Sequence, residues 1–221
     1  MKLEPIILVD SLELLTLQIS RVKGLSEEIN IDFADGIAAP NKTITPEEFF
    51  AYNDSAEDNL KDKTLDFDLM IQNWAPVIKL LTEKSRTYKI RSAVIHYKYL
   101  SFPLPPTSFE LGVALDLEDE IDYEKIKAFP LIQIMTVDLG FQGTPFAPQA
   151  LEKITKLRRL GYTGKIVIDG SVNDKTIGTI LENEGQADVL GVGSFFTRAQ
   201  NPVANFAILQ SAIQNKMAFA K

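Results

Sequence analysis

Six aspartates interrupt or close short apolar runs of this chain: Asp32 and Asp35 in IDFADG, Asp66 and Asp68 in LDFDLM, Asp138 after IMTV, and Asp169 at the end of KIVID. An ionised carboxylate among apolar neighbours is costly to desolvate without a partner. Asp32 and Asp68 are therefore expected to face a shared polar interior. Taken singly, each reads as a turn or strand-end cap; three converging on one place read as a site. Carboxyl groups that share a site split their pKa values, so one can act as a base while another holds a proton. The second constellation is glycine beside small hydroxyl residues, in LGFQGTPF, DGSVN and GVGS. Gly170, Ser171, Gly193 and Ser194 could offer backbone N–H groups to a phosphate. Their structural reading is a set of tight turns.

Composition narrows the chemistry. The 221 residues include no cysteine and one histidine, His96. That excludes thiol nucleophiles, iron–sulfur clusters and any metal site needing two imidazoles. The net charge of -7 and the pI of about 4.9 argue against nucleic acid or an anionic membrane as partner. No apolar run reaches transmembrane length. The opening MKLEPIILVDS reads as a first strand rather than a signal peptide, which predicts a cytoplasmic protein.

The elements that must position these residues alternate in type. Strand-like runs are expected at residues 5–9, 29–33, 65–71, 93–97, 111–115, 131–137, 165–169 and 188–192. Between them lie helix-period segments. Leu12, Leu15, Ile19 and Val22 form the first stripe, and Thr45-Pro46-Glu47-Glu48 is a capped helix start. Further helices are expected at 74–84, from Pro148, at 175–184 and through Val203, Phe206 and Ile213. Eight strands separated by helices predict a parallel sheet of βαβ units. In 221 residues this fits a single α/β domain, a TIM (β/α)₈ barrel over residues 1–221; a doubly wound open sheet is the alternative. One unit is irregular. YKYLSFPLPPTSFEL carries Pro103, Pro105 and Pro106, so the fourth helix is expected to be short or missing. That segment reads as a remodelled connection, or as an interface or lid.

The segments IDFADGIAAPNKTI, DFDLMIQN, GVALDLED, IMTVDLGFQGTPFAPQALEKITKLR, IVIDGSVN and ADVLGVGSFF, in this order, resemble ribulose-phosphate 3-epimerases, a family of phosphate-binding (β/α)₈ barrels. The resemblance implies Asp32 and Asp169 as the acid–base pair acting at C3 of a phosphorylated ketose such as ribulose 5-phosphate. It implies a phosphate grip at Gly143, Gly170, Ser171, Gly193 and Ser194. It also implies a methionine cap formed in part by Met70 and Met135, with Ala34 at its third position. The family holds a divalent metal with two histidines and two aspartates. Here the histidine positions carry Asn30 and Asp68, and a first-strand serine corresponds to Ile6.

The implied metal set is thus Asn30, Asp32, Asp68 and Asp169. Oxygen donors alone suit Mg²⁺ or Mn²⁺ better than Zn²⁺; the other reading is that no metal binds and one carboxyl is protonated. His96 falls where the family also has a fourth-strand histidine, outside its metal set. It reads as a hydrogen-bonded core histidine or as one that reaches the pocket. Three functions follow: a 3-epimerase, a non-catalytic sugar-phosphate-binding or regulatory homologue, and a related sugar-phosphate decarboxylase or aldolase. Those lyases carry an Asp-x-Lys motif whose lysine position is Ala34 here. Family members assemble as dimers or larger, which implies a homo-oligomer.

Overall fold

A computed structural model describes residues 1–139 and 144–219, with Met217 and Phe219 described in backbone only. Eight parallel strands close into a barrel in chain order. They are β1 (Lys2–Ile7), β2 (Glu28–Ala34), β3 (Thr64–Met70), β4 (Lys89–His96), β5 (Glu110–Leu115), β6 (Leu131–Met135), β7 (Lys165–Asp169) and β8 (Val189–Val192). The helices are α1 (Leu12–Val22), α2 (Pro46–Ser55), α3 (Ala75–Lys84), α4 (Tyr123–Ile126), α5 (Leu151–Arg159), α6 (Ile177–Glu182), α7 (Ser194–Thr197) and α8 (Pro202–Phe219). No helix among the described residues is long and apolar enough to cross a membrane.

The two-residue period of the strands sorts side chains between two environments. On β2 and β3, Ile29, Ile31, Phe33, Leu65, Phe67 and Leu69 pack in the main core shared with the helices. Phe33 stacks on Phe67 with ring centroids 5.8 Å apart, and Phe49 of α2 meets both edge-on. The alternate residues Asn30, Asp32, Asp66 and Asp68 are buried too, in register as Asn30 beside Asp66 and Asp32 beside Asp68. Val94, Ala114, Leu131, Val167 and Val189, one from each of β4 to β8, form a separate apolar cluster. This apolar cluster shares the interior with buried polar residues of β2 and β3 and with His96, Gln133 and Asp169 of the later strands.

Local signals set the helix starts. Thr45 and Glu48 form a reciprocal capping box at α2, with Pro46 in the first turn. The first strand differs from the sequence expectation. β1 begins at Lys2 rather than at residue 5 because Lys2 to Pro5 pair with β8. The charged side chains of Lys2 and Glu4 mask that strand in the sequence, and Glu4 is nevertheless buried, as an ion partner of Arg91. The connection from β4 to β5 contains one 3₁₀ turn, Tyr97–Tyr99, and no α-helix, as its prolines predict. Leu100 and Phe109 from this extended segment are buried in the main core, and the Trp74 indole donates to the Tyr99 carbonyl at 2.9 Å.

Candidate active site

Asp32 on β2, Asp68 on β3 and Asp169 on β7 converge. Each is buried, and one carboxyl oxygen from each lies within 4.8 Å of the others. Asp32 and Asp68 are lateral neighbours on adjacent strands, while barrel closure brings Asp169 to them. Each carboxyl has a local partner. The Asn30 amide donates to Asp32 Oδ1 at 2.7 Å. Gln133 Nε2 donates to Asp68 Oδ2 at 2.8 Å and lies 3.4 Å from Asp169 Oδ2.

The other Asp68 oxygen meets His96. Nε2 lies 2.9 Å from Asp68 Oδ1, and Nδ1 lies 2.6 Å from Asp116 Oδ1 at the end of β5. His96 is fully buried. It is a hydrogen-bonded interior histidine, and its partner is a member of the aspartate cluster. Burial by itself would lower its pKa. The charge of Asp68 and the hydrogen bonds to Asp116 and Asp68 outweigh burial and hold it well above the ordinary value. An imidazole facing an acidic acceptor at each nitrogen needs both N–H groups, which is the imidazolium form.

The aspartates respond to the same crowding. Burial, then the charges of Asp169 and Asp68, raise Asp32 well above the usual carboxylate range, against the opposing effects of His96 and Asn30. Burial, then the charge of Asp68, pushes Asp169 up to about 7, opposed by His96 and the Gly170 N–H. Such a group can take up or release a proton near neutral pH. Three buried carboxyl groups at this spacing could also hold a metal ion. The donors are oxygens, and a cation among them would relieve the repulsion that lifts Asp32 and Asp169.

The remaining expected residues are distributed as follows. Met70 is buried with Ala34 and Ala39, and Met135 Sδ lies 3.3 Å from Gln133 Nε2. Gly170 has φ +119° and Ser171 φ +50°, so the chain turns sharply after β7. A Cβ on Gly170 would lie 2.7 Å from Val137 Cγ2. Ser171 Oγ donates to the Thr144 carbonyl, and Thr176 Oγ1 donates to the Ser171 carbonyl at 2.7 Å. Gly193 precedes the single-turn α7, which begins with Ser194. Gly143 lies outside the described residues. Ile6 occupies the interior beside Gly191, where an added Cβ would sit 2.5 Å from Ile6 Cδ1.

Three aspartates of the sequence constellation stand apart from the cluster. Asp35 accepts from the N–H groups of Ile37, Ala38 and Gln72 and organises a loop. Asp138 is exposed. Asp66 belongs to a second polar cluster, in which Arg91 contacts Glu4, Glu28 and Asp66, and the Ser92 hydroxyl donates to Asp66. Gln133 and Asp116 are the site residues that the sequence reading missed. Gln133 interrupts the apolar LIQIM, the same signal that singled out Asp68. Asp116 follows GVAL directly after the fifth strand, much as Asp169 closes the seventh.

Residues 2–196 match the ribulose-phosphate 3 epimerase family. The ribulose-phosphate 3-epimerase of Mycobacterium bovis is 27% identical over 209 residues, covering 82% of this chain and 80% of that protein. The ribulose-phosphate 3-epimerase of Encephalitozoon cuniculi is 29% identical over 139 residues, and the match spans 62% of each chain. Among solved structures, 3-hexulose-6-phosphate synthase from Salmonella typhimurium superposes with a TM-score of 0.66 at 12% identity, covering 98% of this chain and 100% of the other. Orotidine 5'-monophosphate decarboxylase from Sulfolobus solfataricus gives 0.58 at 12% identity, with the same coverage. At that identity the likeness is one of fold.

Proposed function

The chain belongs to the ribulose-phosphate 3-epimerase family, and from that premise we propose that it is an isomerase inverting C3 of a phosphorylated ketose such as ribulose 5-phosphate. The observation that carries this reading is the meeting of Asp32 and Asp169, from strands far apart in sequence, in one buried cluster. Epimerisation beside a ketone removes the carbon-bound proton from one face and returns a proton to the other. Two carboxyl groups, one ionised and one protonated, supply base and acid for that exchange. In one direction Asp32 takes the C3 proton and Asp169 delivers its own to the opposite face; in the other direction the roles reverse.

Gln133 and Asn30 act through the carboxyl groups they touch, fixing Asp68 and Asp32. The turns at Gly170-Ser171 and Gly193-Ser194 would hold the phosphate. Met70 and Met135 would wall the sugar carbons away from water. Asp32, Asp68 and Asp169, with the Asn30 carbonyl as a further oxygen donor, would hold Mg²⁺ or Mn²⁺ in preference to Zn²⁺. When bound, such a cation supplies electrostatic stabilisation of the enediolate oxygens. Ala34, buried beside Met70, leaves no lysine at the position the related lyases use, which favours proton transfer over decarboxylation or aldol chemistry.

The test is conversion of ribulose 5-phosphate to its C3 epimer by metal-stripped protein, with Mg²⁺, Mn²⁺ or Zn²⁺ restored in turn. The expected result is conversion that chelator abolishes and that Mg²⁺ or Mn²⁺ restores best. Saturable sugar-phosphate binding without conversion under any of these conditions would instead establish the non-catalytic reading.

A further inference from the structure

His96 lies outside the metal set that the family resemblance implies, yet its surroundings are built with care. The carbonyls of Asp116 and Leu117 both accept from the Lys153 ammonium, with Leu117 O at 3.1 Å. The Asp116 N–H donates to Asp119 Oδ2 at 2.8 Å. The chain after β5 is therefore clamped on both sides of the carboxyl that meets His96 Nδ1 at 2.6 Å. The ring then delivers Nε2 to Asp68 Oδ1 at 2.9 Å, while Gln133 takes Asp68 Oδ2. Both oxygens of Asp68 are thus fixed by donors on other strands, and the carboxyl plane has no free rotation. A carboxylate oxygen has two lone pairs, so each retains one for a further partner.

We propose that His96, backed by Asp116, is a positioning residue that presents Asp68 to a divalent cation at the aspartate cluster. The inference rests on the reading that this cluster takes such a cation. It assigns to a carboxyl–imidazole–carboxyl chain the orienting work that second-layer hydrogen bonds do at metal sites in general. It differs from a purely structural role, in which the buried polar groups satisfy one another and their loss only loosens the barrel.

The test is titration of Mn²⁺ into metal-stripped full-length protein, with free Mn²⁺ followed by electron paramagnetic resonance. The wild type is compared with His96→Gln, Asp116→Asn and Ile154→Val, a core variant that controls for loosening. Asp116→Asn keeps an oxygen to accept from His96 Nδ1 and decides the matter alone if His96→Gln does not fold. The expected result is a Kd raised about 10–100-fold in the His96 and Asp116 variants and unchanged in Ile154→Val. Wild-type affinity in folded His96 and Asp116 variants, whatever their melting temperature, would overturn the positioning role alone. Absence of Mn²⁺ binding by the wild type would overturn the cation reading and this inference with it.

Discussion

Replacing Asp169 by asparagine in the metal-free protein removes a carboxyl whose ionisation the fold opposes. Burial and the charge of Asp68 move it from an ordinary 3.8 to about 7. Each pKa unit corresponds to about 1.4 kcal/mol, so ionising this group in the native state is opposed by about 4 kcal/mol. The sign follows from linkage. A carboxyl raised on folding binds its proton more tightly in the native state, so its stabilising effect is complete below 3.8 and is lost as pH rises through about 7. Wild-type stability in chelator should therefore be lower at about pH 8 than at about pH 5, the fall lying between about pH 4 and pH 7, and it should be shallower in Asp169→Asn. At about pH 8 the variant should be the more stable of the two, by up to about 4 kcal/mol less whatever the amide forfeits in hydrogen bonding. The asparagine keeps an oxygen for Gln133 and turns its amide toward the neighbouring carboxyl groups, so no buried donor is stranded. The assay is urea unfolding at both pH values, and C3 proton exchange should be lost in the same variant. Parallel pH profiles for the two proteins would refute the reasoning, because the raised pKa would then contribute nothing to folding.

Arg91→Met should destabilise the protein by about 3–5 kcal/mol, because Glu4, Glu28 and Asp66 lose their common cation. Urea unfolding should show part of that loss recovered in acid, since burial and then the Asp66 charge hold Glu4 well above the usual range and favour its protonated form. Gly170→Ala should destabilise by about 1–3 kcal/mol, from the strained φ of +119° and the clash with Val137. The same variant should bind inorganic phosphate more weakly by calorimetry if the turn grips phosphate. Phe67→Ala should lose about 3–5 kcal/mol in thermal or urea unfolding, as a fully buried ring stacked on Phe33 is removed.

The barrel was legible because its signals are local. Strand runs, the Thr45 capping box and the proline-rich fourth connection each declare themselves within a few residues, and the parallel sheet follows from their alternation. β1 was misplaced because Lys2 and Glu4 look like surface charge; the Arg91 that buries Glu4 comes 87 residues later. The aspartate cluster was legible for the opposite reason, since Asp32, Asp68 and Asp169 are charged residues where apolar ones are expected. Its supports were not. His96 meets Asp68 across 28 residues, and Gln133 meets it across 65. Those contacts exist only once β3 to β6 are curved toward one another, and no periodicity in the chain encodes that distance. The resemblance pointed away from His96, because it set the fourth-strand histidine outside the metal set. Placing Asp68 where the family has an imidazole leaves that histidine with a carboxyl partner.

The central claim is that Asp32 and Asp169 exchange protons at opposite faces of C3. It is tested most directly by incubating ribulose 5-phosphate with the Mg²⁺- or Mn²⁺-loaded protein in D₂O and following the C3 position by proton NMR. The C3–H signal should be lost from the substrate pool as the epimer appears, and neither event should occur in Asp32→Asn or Asp169→Asn. Retention of C3–H with the wild-type protein under every metal condition, or undiminished exchange in both variants, would contradict it.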